Sequence, residues 1–245
     1  MENKIAFKDV NNTDYGILFE YLICEKYKLN IPKYLSDEIF ITNEKQKSKI
    51  LEVIPEIFDA LGSIPVKFLG YSKEVDDKGN LVTSPHDFML DNGKTISIKT
   101  NKAKSGSCRV APRVVGQAGY NVLNTYFECI YGKKIETQED IKRLFIYKID
   151  EIFPIFIDKT FISDYTIFVE RENEENYILV DKNMIKIPIF EKHNFSFAKN
   201  LEEWNESNTI KYMNRAIAEV QTPKHRTFKF RFNINNILEF IYESN

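Results

Sequence analysis

The chain has 245 residues, 43% hydrophobic and 29% charged, which is enough apolar material to close a core without disulfides or a structural metal. A formal net charge of −2 excludes a globally basic nucleic-acid binder and leaves any such contact to local patches. Cys24, Cys108 and Cys129 are far apart and lack C-x-x-C spacing, which argues against zinc and for a reducing compartment. MENKIAFKDV carries no apolar run behind a basic segment, and no stretch approaches 18 uninterrupted apolar residues, so a cytoplasmic protein off the membrane is expected.

Tyr15, Leu18, Phe19, Leu22 and Ile23 recur at helical spacing and predict a helix from about Thr13 or Asp14 to Lys28. A second helix is expected over 44–61, ended by Gly62. Strands follow over 66–71, 86–90 and 95–100, the last two joined by a turn at Asp91-Asn92-Gly93. Residues 101–114 read as a basic loop, 116–132 as a helix despite Gly119, and 137–144 as another helix. Beyond them, apolar alternation predicts strands over 144–149, 155–157, 165–169, 177–180 and 185–188. A helix over 209–219 and a strand over 227–232 complete the reading. Helices and strands are mixed rather than strictly alternating, so the expectation is a single α/β domain over 1–245 with a mixed central sheet flanked by helices.

The informative stretch is SPHDFMLDNGKTISIK, Ser84 to Lys99. Hydrolysis of a phosphodiester needs a hard divalent cation that neutralises developing charge and lowers the pKa of the attacking water. Magnesium takes oxygen ligands, often one or two carboxylates completed by water and substrate phosphate. Asp87, a main-chain carbonyl and Lys99 on adjacent strands supply a minimal kit. Ser97 and Lys99 share one strand face, because side chains alternate. A two-residue Asn-Gly turn places Asp87 opposite Ile98, on the wrong face. A three-residue turn with Gly93 left-handed shifts the register by one and places Asp87 opposite Ser97.

Glu20 interrupts the apolar run of the first helix, and its neighbours one turn away are the small residues Gly16 and Cys24. A carboxylate there needs a cation or hydrogen-bond donors, since burial without partners is costly. Lys102, Lys104, Arg109 and Arg113, with Asn101, follow the Lys99 strand and suit a phosphate backbone. On the helical reading Gln117 and Asn121 fall at i, i+4, where amides can meet adenine edges. A second cluster gathers Gln221, Lys224, His225 and Arg226 before a strand with Phe228, Phe230 and Phe232 on one face and Lys229 and Arg231 on the other. Most basic loops are solvated surface, and Glu20 is equally consistent with a structural ion pair.

Pro85-His86-Asp87, a hairpin, then Ser97-Ile98-Lys99 resembles the PD-(D/E)XK nucleases, with ISIKTN, a basic loop, VGQ and a late EVQTPKHRTFKFRFN similar to a subgroup of type II restriction endonucleases. In the family motif Pro-Asp is one residue tighter, and an acid stands where this chain has Ser97. The resemblance implies a restriction-endonuclease-like core and magnesium-dependent, sequence-specific cleavage of double-stranded DNA to 5′-phosphate ends. It implies Asp87 and Lys99 as catalytic residues with Ser97 as their neighbour. Glu20 is implied as a second acid, with Asp87, Glu20 and the carbonyl of Ile98 as metal ligands. Glu128 is a weaker substitute acid. A homodimer and a cognate DNA methyltransferase are the partners expected of such an enzyme. A repair or structure-specific nuclease of the same fold and an inactive DNA-binding module are the alternatives.

No G-x-S-x-G elbow, P-loop or dinucleotide fingerprint is present, which argues against a Ser-His-Asp hydrolase and against the nucleotide-binding folds those loops mark.

Overall fold

The computed structural model describes residues 12–31, 44–75, 81–101, 109–111, 115–170, 177–223 and 228–243. Among the described residues it is a mixed α/β structure with two main sheets and five helices. The chain divides into two compact units, one formed by Met1–Lys104 with Ser163–Lys182, the other by Ser105–Ile162 with Asn183–Asn245.

The first unit contains helices α1 (Asn12–Lys26) and α2 (Glu44–Leu61) and strands β1 (Pro65–Phe68), β4 (Phe88–Leu90), β5 (Thr95–Asn101), β8 (Tyr165–Glu170) and β9 (Tyr177–Asp181). A separate two-stranded sheet pairs β2 (Tyr71–Val75) with β3 (Leu81–Thr83). The five-stranded sheet runs β1-β4-β5-β8-β9. It is antiparallel from β1 to β5, parallel between β5 and β8, and antiparallel again to β9. Phe88, Leu90, Ile96, Ile98, Ile167 and Val169 present one apolar face, buried in a cluster with Leu18, Phe19, Leu22 and Ile23 of α1 and Ile54, Ile57 and Phe58 of α2. Alternation therefore assigns Ser97, Lys99, Thr166 and Phe168 to the opposite face.

The second unit carries a six-stranded sheet in the order β10-β11-β12-β13-β6, with β7 also on β13. Its strands are β6 (Arg109–Val110), β7 (Gln117–Ala118), β10 (Phe195–Phe197), β11 (Ser207–Tyr212), β12 (Arg215–Gln221) and β13 (Phe228–Asn233). Helices α3 (Tyr120–Tyr131), α4 (Gln138–Thr160) and α5 (Ile234–Ile241) complete it. Phe228, Phe230 and Phe232 of β13 pack on Phe145, Phe153 and Phe156 of α4, with Phe156 and Phe230 stacked at 4.1 Å between centroids. Each such ring pair adds about 0.5–1.5 kcal/mol beyond its area burial.

Several expectations are corrected here. Residues 144–149 and 155–157 are helix rather than strand. Ile141, Leu144, Phe145, Ile149, Ile152, Phe153, Phe156 and Ile157 are all buried along α4. Their three-to-four-residue period outweighs the β-branched content, and Pro154 is carried inside the helix. Thr137 starts α4 with a capping box, its hydroxyl accepting from the Asp140 amide.

Residues 209–219 form the β11–β12 hairpin rather than a helix, with Met213 and Asn214 both at positive φ, 47° and 66°. Two consecutive left-handed residues make the turn that matches strand twist. Residues 117–118 are strand rather than helix, because β13 supplies a partner and Gly119 is the N-cap of α3. Arg109–Val110 pairs with β13 where a loop was expected. Residues 185–188 make one isolated bridge, Ile185 with Tyr242, instead of a strand.

Candidate active site

The β4–β5 hairpin turns through Asp91, Asn92 and Gly93, with Leu90 N–H donating to the Lys94 carbonyl at 2.8 Å and Gly93 N–H to the Leu90 carbonyl at 3.0 Å. Gly93 sits at φ +80°, a conformation that costs other residues about 1–2 kcal/mol. This is the three-residue turn. Phe88 pairs with Ile96 and Met89 with Thr95, so the same register sets Asp87 opposite Ser97.

Asp87 is 4% exposed and Ser97 3%. Ser97 Oγ donates to Asp87 Oδ2 at 2.9 Å, and the Ile98 N–H donates to the same oxygen at 2.6 Å. The main chain is fixed as firmly. Asp87 N–H donates to the Ile96 carbonyl at 2.9 Å, while Leu69 and Gly70 donate to the Asp87 carbonyl at 2.8 and 3.2 Å. Lys99 lies two residues beyond Ser97 on the same face and is half-buried. The adjoining position on β8 is Thr166, paired with Ser97 and 1% exposed. Its hydroxyl finds no hydrogen-bond partner among the described residues. Nothing in the spacing singled Thr166 out. Only the parallel pairing of β5 with β8 brings it beside Ser97.

Neighbouring groups are anchored within the unit. His86 Nδ1 and Ser163 Oγ share a hydrogen bond at 2.9 Å. Asp164 Oδ2 accepts from Thr95 N–H and Oγ1 at 2.7 and 2.8 Å. Burial opposes those bonds, which nonetheless hold the Asp164 carboxyl below the usual range. Lys94 donates to the Tyr165 hydroxyl at 2.7 Å, which raises its pKa.

Glu20 is half-buried on the Gly16–Glu20–Cys24 stripe of α1. A side chain at Gly16 would meet Thr100 Oγ1 at 3.3 Å, so this stripe approaches β5 closely at Thr100. Thr100 belongs to the strand face opposite Ser97 and Lys99. The Cys24 thiol is pushed up to about 12, first by burial and then by the Glu20 carboxylate. Glu128 is exposed on α3 in the other unit. Among the described residues, no group of three or more His, Cys, Asp or Glu gathers to hold a metal. The oxygen donors at hand are the Asp87 carboxylate and main-chain carbonyls, a hard set of the kind magnesium takes.

Of the expected DNA contacts, Lys102, Lys104, Arg113, Lys224, His225 and Arg226 lie outside the described residues. Asn101 ends β5 and Arg109 opens β6. The helical Gln117–Asn121 pair does not form, because Gln117 is in β7 and Asn121 is exposed in the first turn of α3. Gln117 instead pairs with Lys229, which on its other side pairs with Gln221. No described helix is long and apolar enough to cross a membrane.

No family model matches the chain, and no solved structure matches it. Over 235 residues, 92% of its length, the chain is 28% identical to the type II restriction enzyme CviAII of Paramecium bursaria Chlorella virus 1, and it spans 59% of that relative's length.

Proposed function

We propose that this chain is a type II restriction endonuclease of the PD-(D/E)XK kind, hydrolysing double-stranded DNA to 5′-phosphate and 3′-hydroxyl ends. One observation carries the reading: the three-residue turn sets Asp87 against Ser97, on the strand face that also bears Lys99. The similarity to CviAII over most of the chain supports it. So does the order of the first unit, three antiparallel strands and a parallel return with α1 on one face, which we read as a restriction-endonuclease-like core.

Asp87 and the Ile98 carbonyl would hold a magnesium ion, which when bound lowers the pKa of water and offsets charge on the phosphate. Ile98 directs its N–H toward Asp87, and in an extended strand the N–H and C=O of one residue point to the same side. Ser97 and the Ile98 amide fix the Asp87 rotamer, leaving no reorganisation for the reaction to supply. Lys99 orients the attacking water and stabilises the charge that builds on the phosphate. Glu20 is proposed as the second acid although its stripe of α1 meets the other face of β5 at Thr100, and cutting by a folded Glu20→Gln variant tests whether its carboxylate serves the same site. A homodimer with one site per DNA strand, a cognate methyltransferase and a cytoplasmic setting complete the proposal.

Digestion of a fully sequenced plasmid with Mg²⁺ or Mn²⁺, followed by mapping of fragment ends, tests it. Discrete ends at one short sequence are expected, with Asp87→Ala and Lys99→Ala folded but inactive. Undiminished cutting by both variants overturns the site, and ends without sequence preference indicate a repair-type nuclease instead. A second reading, a module that binds DNA without cutting it, is favoured by the serine at 97 and by the two donors on one Asp87 oxygen. Retarded but uncut DNA establishes that reading.

A further inference from the structure

The sheet of the second unit has two unlike faces. One buries Phe228, Phe230 and Phe232 against α4. The other is polar, and the strand register organises it. Gln117 of β7 pairs with Lys229 of β13, Lys229 with Gln221 of β12, and Gln221 with Ser207 of β11. Directly paired residues point to the same face, so four strands contribute one continuous row. A second row runs parallel to it, Arg231 paired with Glu219 and Glu219 with Thr209. These seven side chains are half-buried or exposed, unlike the buried phenylalanines that alternate with them on β13.

Among the described residues no ion pair joins a carboxylate to Lys229 or Arg231, although Glu219 stands opposite Arg231 in the register. The one acid of the two rows, Glu219, accepts a hydrogen bond from Gln221 Nε2 at 3.1 Å. The face thus offers two cations, and the first row has an amide on each side of a lysine. Such a row suits base edges and phosphates together. Glutamine amides bond adenine N6 and N7, lysine bonds guanine O6 and N7 or a phosphate, and strands are known to enter grooves. Strands about 4.8 Å apart give Gln117, Lys229 and Gln221 a span of about 10 Å, within a major groove about 12 Å wide.

We infer that this face binds double-stranded DNA, with Gln117 and Gln221 reading base edges and Lys229 and Arg231 meeting phosphate or guanine. The inference rests on the nuclease reading and adds to it the surface that selects the sequence.

The test measures duplex binding by fluorescence anisotropy in an Asp87→Asn background, across a salt series. The duplex carrying the mapped cut sequence is compared with a scrambled one. Lys229→Gln with Arg231→Gln is expected to weaken both duplexes about tenfold and to lower the salt slope by about one to two. Gln117→Ala and Gln221→Ala are each expected to cut the preference for the mapped sequence about fivefold or more, with little effect on the scrambled duplex. Lys229→Arg with Arg231→Lys should retain non-specific affinity, and thermal melts confirm folding. Unchanged affinity and slope in the folded double variant, while the wild type binds and cuts, sink the face alone. Neither binding nor cutting by the wild type sinks the nuclease reading and the face with it.

Discussion

Ser97 Oγ donates to Asp87 Oδ2 across the hairpin, at 2.9 Å, from the position where the resembled motif carries an acid. An acid placed there would stand against Asp87 as a like charge at hydrogen-bond range. Like-charged carboxylates raise the pKa of one member of the pair. Ser97→Asp is therefore expected to be destabilised at neutral pH and to recover as pH falls. A carboxyl whose folded pKa is raised opposes folding above that pKa and is relieved when protonated. Melting temperature against pH checks this, and added Mg²⁺ should recover stability in the variant more than in the wild type. A flat difference across pH refutes the close approach.

Thr166 buries a hydroxyl with no hydrogen-bond partner among the described residues. An unsatisfied buried polar group costs about 1–3 kcal/mol. Thr166→Val is expected to raise unfolding free energy by about 1 kcal/mol in urea titration. A loss of stability instead shows that the hydroxyl is bonded in solution.

Gly93→Ala places a side chain at φ +80° in the turn that sets Asp87 opposite Ser97. The expected cost is about 1–2 kcal/mol. Cleavage should fall with it at temperatures where the variant remains folded, because a slipped register turns Asp87 off the Ser97 face. Unimpaired cutting in the folded variant removes the register from the mechanism.

Asp140 locks the start of α4, accepting from the Thr137 hydroxyl at 2.7 Å and pairing with Lys133 at 2.6 Å. Burial works to raise its carboxyl, but Lys133, Thr137 and two main-chain amides outweigh it and hold the group well below the carboxylate range. A lowered folded pKa contributes stability above the unfolded value of about 3.9, lost as pH falls through the folded one. Asp140→Asn should cost about 1–3 kcal/mol at neutral pH. The gap to wild type should close in acid, as melts at stepped pH would show.

What was legible in the sequence was mostly local. Asp87, Ser97 and Lys99 lie within one hairpin, and Asn92-Gly93 carries its own turn chemistry, so both their shared face and its dependence on the turn followed from spacing. Helix α1 was readable because Tyr15, Leu18, Phe19, Leu22 and Ile23 keep one period and are all buried. The β11–β12 hairpin was hidden because Met213 carries no turn signal, and Ile210, Ile217 and Val220 fit a helical stripe as well as two strands. Gln117 became strand through pairing with Lys229, a partner far along the chain. Thr166 and the glutamine–lysine row are legible only through strand register, which no window of sequence contains.

The first unit is interrupted in sequence: after Lys104 the chain builds elsewhere and returns only at Ser163. During translation β5 therefore emerges long before β8, the parallel neighbour that covers its far edge. Until then the strand bearing Ser97 and Lys99 is an open edge, the kind that recruits foreign strands. A nascent chain should consequently hold no competent hairpin until the return segment from Ser163 has left the ribosome, which makes products truncated before Ser163 prone to aggregate.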